Sequence, residues 1–163
     1  MAEPSNGGAA PSSDKRRQLI ISAQYIKDLS FENPRAPQSL MQQQAAPPEV
    51  QINVDVKAGS FTPDVYEVIM TLRADAKQGT DSVFVVELIY GAVVTLTNTP
   101  PEEVAPVLMV EAPRLLFPFA RAILADVTRD GGFTPLLLNP IDFAEIYARR
   151  AAAAAQAPGT VTA

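Results

Sequence analysis

Carboxylates, hydroxyls, lysines and arginines are the groups left for catalysis, because the 163 residues include no histidine and no cysteine. That absence excludes imidazole bases, thiol nucleophiles, disulfides, and metal or haem sites that depend on either residue type. Glu102 and Glu103 are adjacent on a predicted helix, so their side chains diverge by about 100° and do not meet on one substrate. We interpret them as favourable charges at the positive end of the helix dipole.

A second carboxylate pair, Asp28 and Glu32, lies in a segment that alternates like a strand. At this spacing the two groups share one face but sit roughly 13 Å apart. Inverting glycosidases hold their carboxylates about 6.5–9.5 Å apart and retaining ones about 5 Å apart, so this pair does not suit glycoside hydrolysis. With Glu87 on another strand, the pair predicts an acidic outer surface, which either is simply solvated or binds a partner.

The sequence lacks the motifs of phosphate-binding loops, dinucleotide-binding turns, serine-hydrolase elbows and zinc proteases. Its formal net charge of −5 argues against a nucleic-acid surface, which needs clustered lysine and arginine. We therefore expect a protein that is not an enzyme, needs no cofactor or metal, and binds no nucleic acid.

Four segments alternate in residue type with a period of two, the pattern of strands with one covered face. The short glycine-containing connection at 77–80 predicts an antiparallel hairpin of the third and fourth strands. The residues expected to share one face are Tyr25, Lys27, Leu29 and Phe31; Val50, Ile52, Val54 and Val56; Tyr66, Val68, Met70, Leu72, Ala74 and Ala76; and Phe84, Val86, Leu88 and Tyr90.

After Asn98 the pattern becomes helical. A first helix is expected from Pro101 until Pro113 ends it, and a second from about Phe117 to Arg129. A third begins near Asp142, with an apolar side formed by residues 143, 146 and 147. Strands followed by helices predict an α+β fold, in which the helices pack on one face of a four-stranded antiparallel sheet.

The apolar surface exceeds what one such sheet can cover. Val83, Val85 and Ile89 are expected on the outward face of the fourth strand, Ile69 on that of the third, and the helices are apolar beyond a single stripe. Excess surface of this kind marks an interface. A homo-oligomer that buries the helices between sheets would absorb it, whereas the alternative is a carrier of small apolar ligands in an aromatic-lined pocket.

The two ends differ in composition from the middle. We expect a disordered arm at 1–17, one domain at 18–150, and an Ala-rich tail at 151–163 that starts helical and then becomes disordered. No apolar stretch of signal-peptide length follows the basic residues at 15–17, and the apolar region at 104–125 carries three charges and three prolines. We therefore expect a cytoplasmic protein that does not insert into the membrane.

Three motifs, in order and in register, resemble one known family. Tyr25–Pro37 reads YIKDLSFENPRAP and is similar to the Y-x-K-D-[IL]-S-F-E-x-P-x-A-P signature of the protein-export chaperone SecB family. Asp64–Val68 (DVYEV) is similar to the start of the family's third strand, and Leu115–Arg121 (LLFPFAR) to the start of its long helix. The resemblance extends from about residue 18 to residue 148 and leaves both tails outside.

This resemblance implies a cytosolic holdase that keeps preproteins unfolded for export and delivers them to the translocation motor SecA. Such proteins assemble as a dimer of dimers, a homotetramer, in which protomers join edge to edge and dimers pack through their helices. The resemblance assigns SecA binding to Asp28, Glu32, Val85 and Glu87. It assigns an apolar groove for unfolded preproteins to Val50, Ile52, Val54, Phe143 and Tyr147.

Overall fold

Four long antiparallel strands form the framework of the molecule, whose computed structural model describes residues 15–42 and 46–156. The strands are β1 (Gln18–Glu32), β2 (Glu49–Thr62), β3 (Val65–Gln78) and β4 (Asp81–Thr97). Their order in the sheet is β1-β4-β3-β2, and every neighbouring pair is antiparallel. The predicted hairpin of β3 and β4 is confirmed, and β1 and β2 form the two edges.

Helices cover one face of the sheet, and all of them except a short first turn follow the four strands along the chain. They are a single turn, α1 (Gln38–Met41), then α2 (Pro101–Pro106), a π-helical turn at Val107–Glu111, α3 (Ala112–Asp130) and α4 (Phe143–Gln156). Met70 and Leu72 of β3, Leu88 of β4, and Leu116 and Leu124 of α3 are fully buried in the layer between sheet and helices. The predicted α+β fold, with helices on one face of a four-stranded antiparallel sheet, is therefore confirmed.

The strand β1 contains two irregularities that change which side chains face the helices. Ile26 pairs with Tyr90 while Asp28 pairs with Ile89, so Lys27 is an extra residue at a β-bulge. On the N-terminal side of the bulge, Tyr25 lies opposite Gly91 on the outer face of the sheet. The expectation that Tyr25 and Lys27 share a face with Leu29 and Phe31 is therefore wrong, because an inserted residue reverses the alternation.

A similar irregularity occurs at the start of β4. Ala76 pairs with Phe84 and Lys77 pairs with Ser82, which leaves Val83 as the extra residue. Val83 is 1% exposed and belongs to the core, so its predicted outward position is wrong. Val85 and Ile89 remain on the outer face as expected, and both are half-buried.

The helical region is continuous where the sequence predicts a break at Pro113. The N–H of Ala112 bonds to the carbonyl of Val107, five residues earlier, at the end of the π-helical turn. Proline lacks an N–H and its ring crowds the carbonyl four residues before it, and a wider π turn accommodates both effects. Pro113 therefore lies inside one continuous helical segment, and α3 begins at Ala112 instead of Phe117.

At the C-terminal end, α4 continues through the alanines at 151–155 as far as Gln156. The disorder expected for most of the N-terminal arm and for the last residues of the tail concerns positions 1–14 and 157–163. Those positions lie outside the described residues.

Candidate functional site

A groove follows β2 on the helix-covered side of the sheet. Val50, Ile52 and Val54 point into it and are each half-buried. Beside Ile52 and Val54 it forms a depression of about 520 Å³, bounded on the other side by α4 at Ile146 and Arg150. Around Val50 it forms another depression of about 330 Å³, whose other lining residues are Pro47, Pro48, Phe84, Phe133, Thr134, Pro135, Leu136 and Leu137.

The two α4 residues predicted for the groove occupy different environments. Phe143 is 1% exposed and packs edge-to-face against Phe117, with ring centroids 6.0 Å apart. Tyr147 is half-buried one turn later and contributes to neither depression in this protomer. The structure thus brings α4 beside β2, but it places Phe143 in the core beneath the groove.

The loop between α3 and α4 supplies one wall of the groove and is fixed by two side chains of α3. The buried hydroxyl of Thr128 donates to the carbonyl of Leu124 at 2.8 Å and accepts the N–H of Leu136 at 2.9 Å. Arg121 donates through Nε to the carbonyl of Leu138 at 2.7 Å. Between these anchors Leu137 is 64% exposed at the mouth of the depression near Val50.

Three phenylalanines form a cluster next to this end of the groove. The ring of Phe84 lies 5.0 Å from that of Phe133 and 5.9 Å from that of Phe31, measured between centroids. Sequence reasoning did not assign Phe84, Phe133 or the leucines of the loop to the groove. The available signal was the loop's composition, since a segment with a phenylalanine and three consecutive leucines is too apolar for an ordinary solvated connection.

The opposite face of the sheet carries the predicted acidic residues. Glu32 lies opposite Val85, and Asp28 lies opposite Ile89, across the β1–β4 pair. Between these two pairs Glu87 lies opposite Ser30. Residues opposite each other in an antiparallel pair share a face, so carboxylates and apolar side chains alternate over this surface. All four positions assigned by the resemblance therefore lie together, on the side away from the groove.

Two further charged groups on this face were not assigned from the sequence. Arg73 of β3 donates to both carboxylate oxygens of Asp75 at 2.9 Å and lies 3.6 Å from Glu87. Alternation places Arg73 and Asp75 outward, but the pairing with Glu87 depends on the β3–β4 register, which local sequence does not show. Glu87 consequently has the Arg73 cation beside it and is half-buried. Asp28 and Glu32 are both exposed to solvent.

A hydrogen-bonded group lies further along the same face. Tyr25 Oη donates to Glu67 at 2.5 Å, and Lys27 Nζ donates to the same carboxylate oxygen at 2.9 Å. Burial and the bond to Glu67 raise the pKa of Tyr25 to about 12. The bonds from Tyr25 and Lys27 lower the pKa of Glu67. The ring of Tyr25 covers Gly91, where a Cβ atom would lie 2.6 Å from it, so a side chain at this position would displace the Tyr25 ring.

Other kinds of site are scarce in the part of the chain that the structure describes. Residues 15–42 and 46–156 contain no cluster of three or more histidine, cysteine, aspartate or glutamate side chains that could hold a metal ion. No helix within these ranges is long and apolar enough to cross a membrane. The candidate surfaces are therefore the apolar groove and the acidic sheet face.

Comparison with known proteins shows the family to which the chain belongs. The family model described as "Preprotein translocase subunit SecB" matches residues 12–154. The chain belongs to the SecB family. This assignment confirms the resemblance of the three motifs and makes the protein a SecB-family chaperone of protein export.

Curated SecB relatives match over most of their length. The protein-export protein SecB of Bradyrhizobium sp. is 48% identical over 152 residues, which are 93% of this chain and 93% of the relative. The protein of the same name from Paramagnetospirillum magneticum is 53% identical over 135 residues, 83% of this chain and 86% of the relative. The protein of the same name from Agrobacterium fabrum is 50% identical over 134 residues, which are 82% of this chain and 83% of the relative.

A solved structure supports the SecB fold independently of close sequence similarity. The SecB-like chaperone of Mycobacterium tuberculosis, in complex with a ChAD peptide from the HigA1 antitoxin, superposes with a TM-score of 0.63 at 15% identity. The match covers 76% of this chain and 90% of that one. At this identity the likeness concerns the fold alone.

Proposed function

We propose that this SecB-family protein is a cytoplasmic holdase, which binds unfolded preproteins in the groove along β2 and delivers them to SecA. The observation that carries the proposal is the separation of an apolar groove from an acidic sheet face, on opposite sides of one sheet. Two ligands can then be held at once, as a transfer between chaperone and motor requires.

The groove suits an extended apolar segment without a fixed sequence. Its lining near Val50 consists of proline, leucine, valine and phenylalanine side chains with one threonine. Burial of apolar surface contributes about 25 cal/mol per Å² irrespective of side-chain order, so many weak contacts can hold varied sequences. The two depressions lie at successive inward positions of β2, which is the arrangement that an extended chain would follow. Phe143 would support the groove from below, and Tyr147 would contact clients at its rim.

The acidic face suits a basic partner surface that also contains apolar groups. Asp28 and Glu32 are exposed and alternate with half-buried Ile89 and Val85, while Glu87 lies between the two pairs. Charge complementarity at such a face increases the association rate and makes binding sensitive to salt. Apolar side chains between the charges add contacts that salt does not screen. These properties support assigning this face to SecA.

Self-assembly as a dimer of dimers would cover the remaining apolar surface of the protomer. Leu115 and Phe119 of α3 are 51% and 52% exposed, on the outer side of the helix layer. Ile20 and Ile26 are each 48% exposed on β1, an edge strand that can pair with another copy. A homotetramer with sheets joined at an edge and helices packed together would bury both sets.

The small-ligand carrier is the weaker reading of the same groove. Such carriers enclose most of their ligand and orient it with a few convergent polar groups. The depressions beside β2 are open along the strand; Asn53, Arg149 and Arg150 line one of them, and Thr134 is the single polar residue that lines the other. The groove is therefore better suited to a chain that passes through than to a molecule that is enclosed.

A binding titration with one slow-folding polypeptide tests the holdase proposal. We expect the protein to bind the polypeptide while it is unfolded and to ignore it once it is native. Ile52→Asp and Tyr147→Asp should each weaken capture about tenfold, because the introduced carboxylate loses its solvation against an apolar client. Phe61→Asp is the matched control, since Phe61 lies on β2 but is 76% exposed outside the groove. Equal binding of native and unfolded polypeptide would contradict the proposal.

A further inference from the structure

The C-terminal half of α4 is attached to the sheet by one arginine. The guanidinium of Arg150 donates to the carbonyl of Val56 and to the carboxylate of Asp55, both on β2. Phe143 and Ile146 hold the first two turns of α4 by packing against the core. Beyond Arg150, the described residues of α4 are exposed alanines and a glutamine. Arg150 is thus the last point at which the described helix bonds to the sheet.

The bond is suited to the edge position of β2. An edge strand has alternate carbonyls that face away from its neighbour, and the Val56 carbonyl accepts a hydrogen bond from Arg150. The Asp55 side chain belongs to the outer face, so the planar guanidinium reaches around the edge to engage both groups. A lysine carries a compact charge and lacks the fork that bonds two acceptors in fixed geometry.

The groove lies between the two elements that this contact joins. Ile52 and Val54 form one side of the larger depression, and Ile146 with Arg150 forms the other. The width of this depression is the separation of β2 and α4. Apolar packing fixes that separation at Ile146, and the guanidinium bonds fix it at Arg150. We propose that Arg150 is a positioning residue that holds α4 at the width needed for an extended apolar client segment. The inference rests on the proposed client-binding function.

Loss of the Arg150 contact should weaken client binding, because the client would then have to order the end of α4 when it binds. An unattached end of α4 would sample positions away from β2, and a client would then have to restrain it on binding. Arg150 and Asp55 are partly exposed, with side-chain exposures of 44% and 37%. Because water screens such a pair, we expect a moderate effect of about fivefold on client affinity.

Two substitutions on opposite sides of the contact test the proposal. Arg150→Met keeps much of the aliphatic stem and removes the fork, and it should raise the Kd for an unfolded polypeptide about fivefold. Asp55→Asn should raise it about twofold, because the Val56 bond remains. Asp55 does not line the depression, so its effect must act through the position of α4. In both variants the α4 amides after Tyr147 should exchange hydrogen faster than in the wild-type tetramer.

Lys57→Met is the matched control. Lys57 Nζ lies 3.8 Å from the same Asp55 carboxylate, is exposed, and makes no bond to α4. The Lys57→Met variant loses one positive charge, as Arg150→Met does. It should change neither the affinity for clients nor the rate of hydrogen exchange in α4. Arg150→Lys should lie between wild type and Arg150→Met, because a lysine keeps the ionic contact and loses the second bond.

The possible outcomes separate this inference from the holdase proposal. Weaker affinity with faster α4 exchange in both Arg150→Met and Asp55→Asn supports the positioning role. Weaker affinity without faster exchange would make Arg150 a direct client contact and overturn it, as would faster exchange with unchanged affinity. If wild-type protein failed to bind the unfolded polypeptide, the holdase proposal would fail. The exchange comparison would still show whether Arg150 holds α4.

Discussion

At the scale of single residues, hydrogen bonds among charged and phenolic groups organise the outer sheet face. Glu67 accepts from both Lys27, the extra residue of the β-bulge, and Tyr25, two positions before it. The bulge turns Tyr25 to this face, where its ring lies over Gly91. A carboxylate that accepts two hydrogen bonds is stabilised in its charged form, so its contribution to folding depends on pH.

The lowered pKa of Glu67 predicts a defined pH dependence for Glu67→Gln. A depressed folded-state pKa gives stability that is fully present above the ordinary value of 4.5 and is lost as pH falls through the folded value. We expect Glu67→Gln to unfold at lower urea concentration than wild type at neutral pH. The difference should hold down to pH 5 or so and shrink below 4.5. A difference that grows on acidification would contradict this account.

At the scale of elements, the loop between α3 and α4 combines an apolar composition with hydrogen-bonded anchors. Thr128 is fully buried, and its hydroxyl is the acceptor for the Leu136 N–H. Arg121 fixes the carbonyl of Leu138, two residues later. These bonds satisfy the Leu136 N–H and the Leu138 carbonyl, so the loop can present Leu137 at the groove with two of its backbone groups already paired.

Thr128→Val should destabilise the protein by about 1–2 kcal/mol, because it leaves the partly buried N–H of Leu136 without an acceptor. The side chains have similar shape, so cavity formation contributes little. Urea unfolding measures the change in free energy. Thr134→Val is the control in the same loop, and it should unfold like wild type because Thr134 is exposed. Equal stabilities of Thr128→Val and Thr134→Val would show that the Leu136 bond does not anchor the loop.

Sequence patterns predicted the strands and the antiparallel hairpin because alternation and turn composition are local properties. They missed the bulges at Lys27 and Val83, because an extra residue appears only when a strand is compared with its partner. They also placed a break at Pro113, because the compensation by a π-helical turn depends on how the whole helix packs. The acidic surface followed from alternation and its assignment to SecA from the family resemblance, whereas the Arg150 contact joins residues 95 apart and has no local signal.

At the scale of the whole molecule, the proposed function assigns different roles to three surfaces. The groove beside β2 lies on the helix side and is mostly apolar around Val50, and the acidic face lies on the other side of the sheet. The outer side of α3 exposes Leu115 and Phe119, which are one helical turn apart. Assigning α3 to assembly leaves the groove and the acidic face available to clients and to SecA.

Phe119→Glu should disrupt the packing of dimers through their helices. We expect wild-type protein to sediment as a tetramer of roughly 70 kDa, from four chains of 17.4 kDa, and the variant to sediment at about half that mass. In the proposed interface the variant would lose an aromatic contact and would place an unpaired carboxylate there. Leu137→Asp is the comparison, since it changes an exposed apolar residue of the groove and should leave the mass unchanged. A monomeric wild-type protein would rule out the assembly.

The central claim is that clients and SecA bind to separate surfaces, and a paired titration of Glu87→Lys tests it most directly. Each sample is titrated against SecA and against an unfolded preprotein. The new lysine would stand beside Arg73, so this part of the acidic face would become basic. We predict SecA affinity at least about tenfold weaker and less dependent on salt, with preprotein affinity within about twofold of wild type. Loss of preprotein binding with full affinity for SecA would contradict the account.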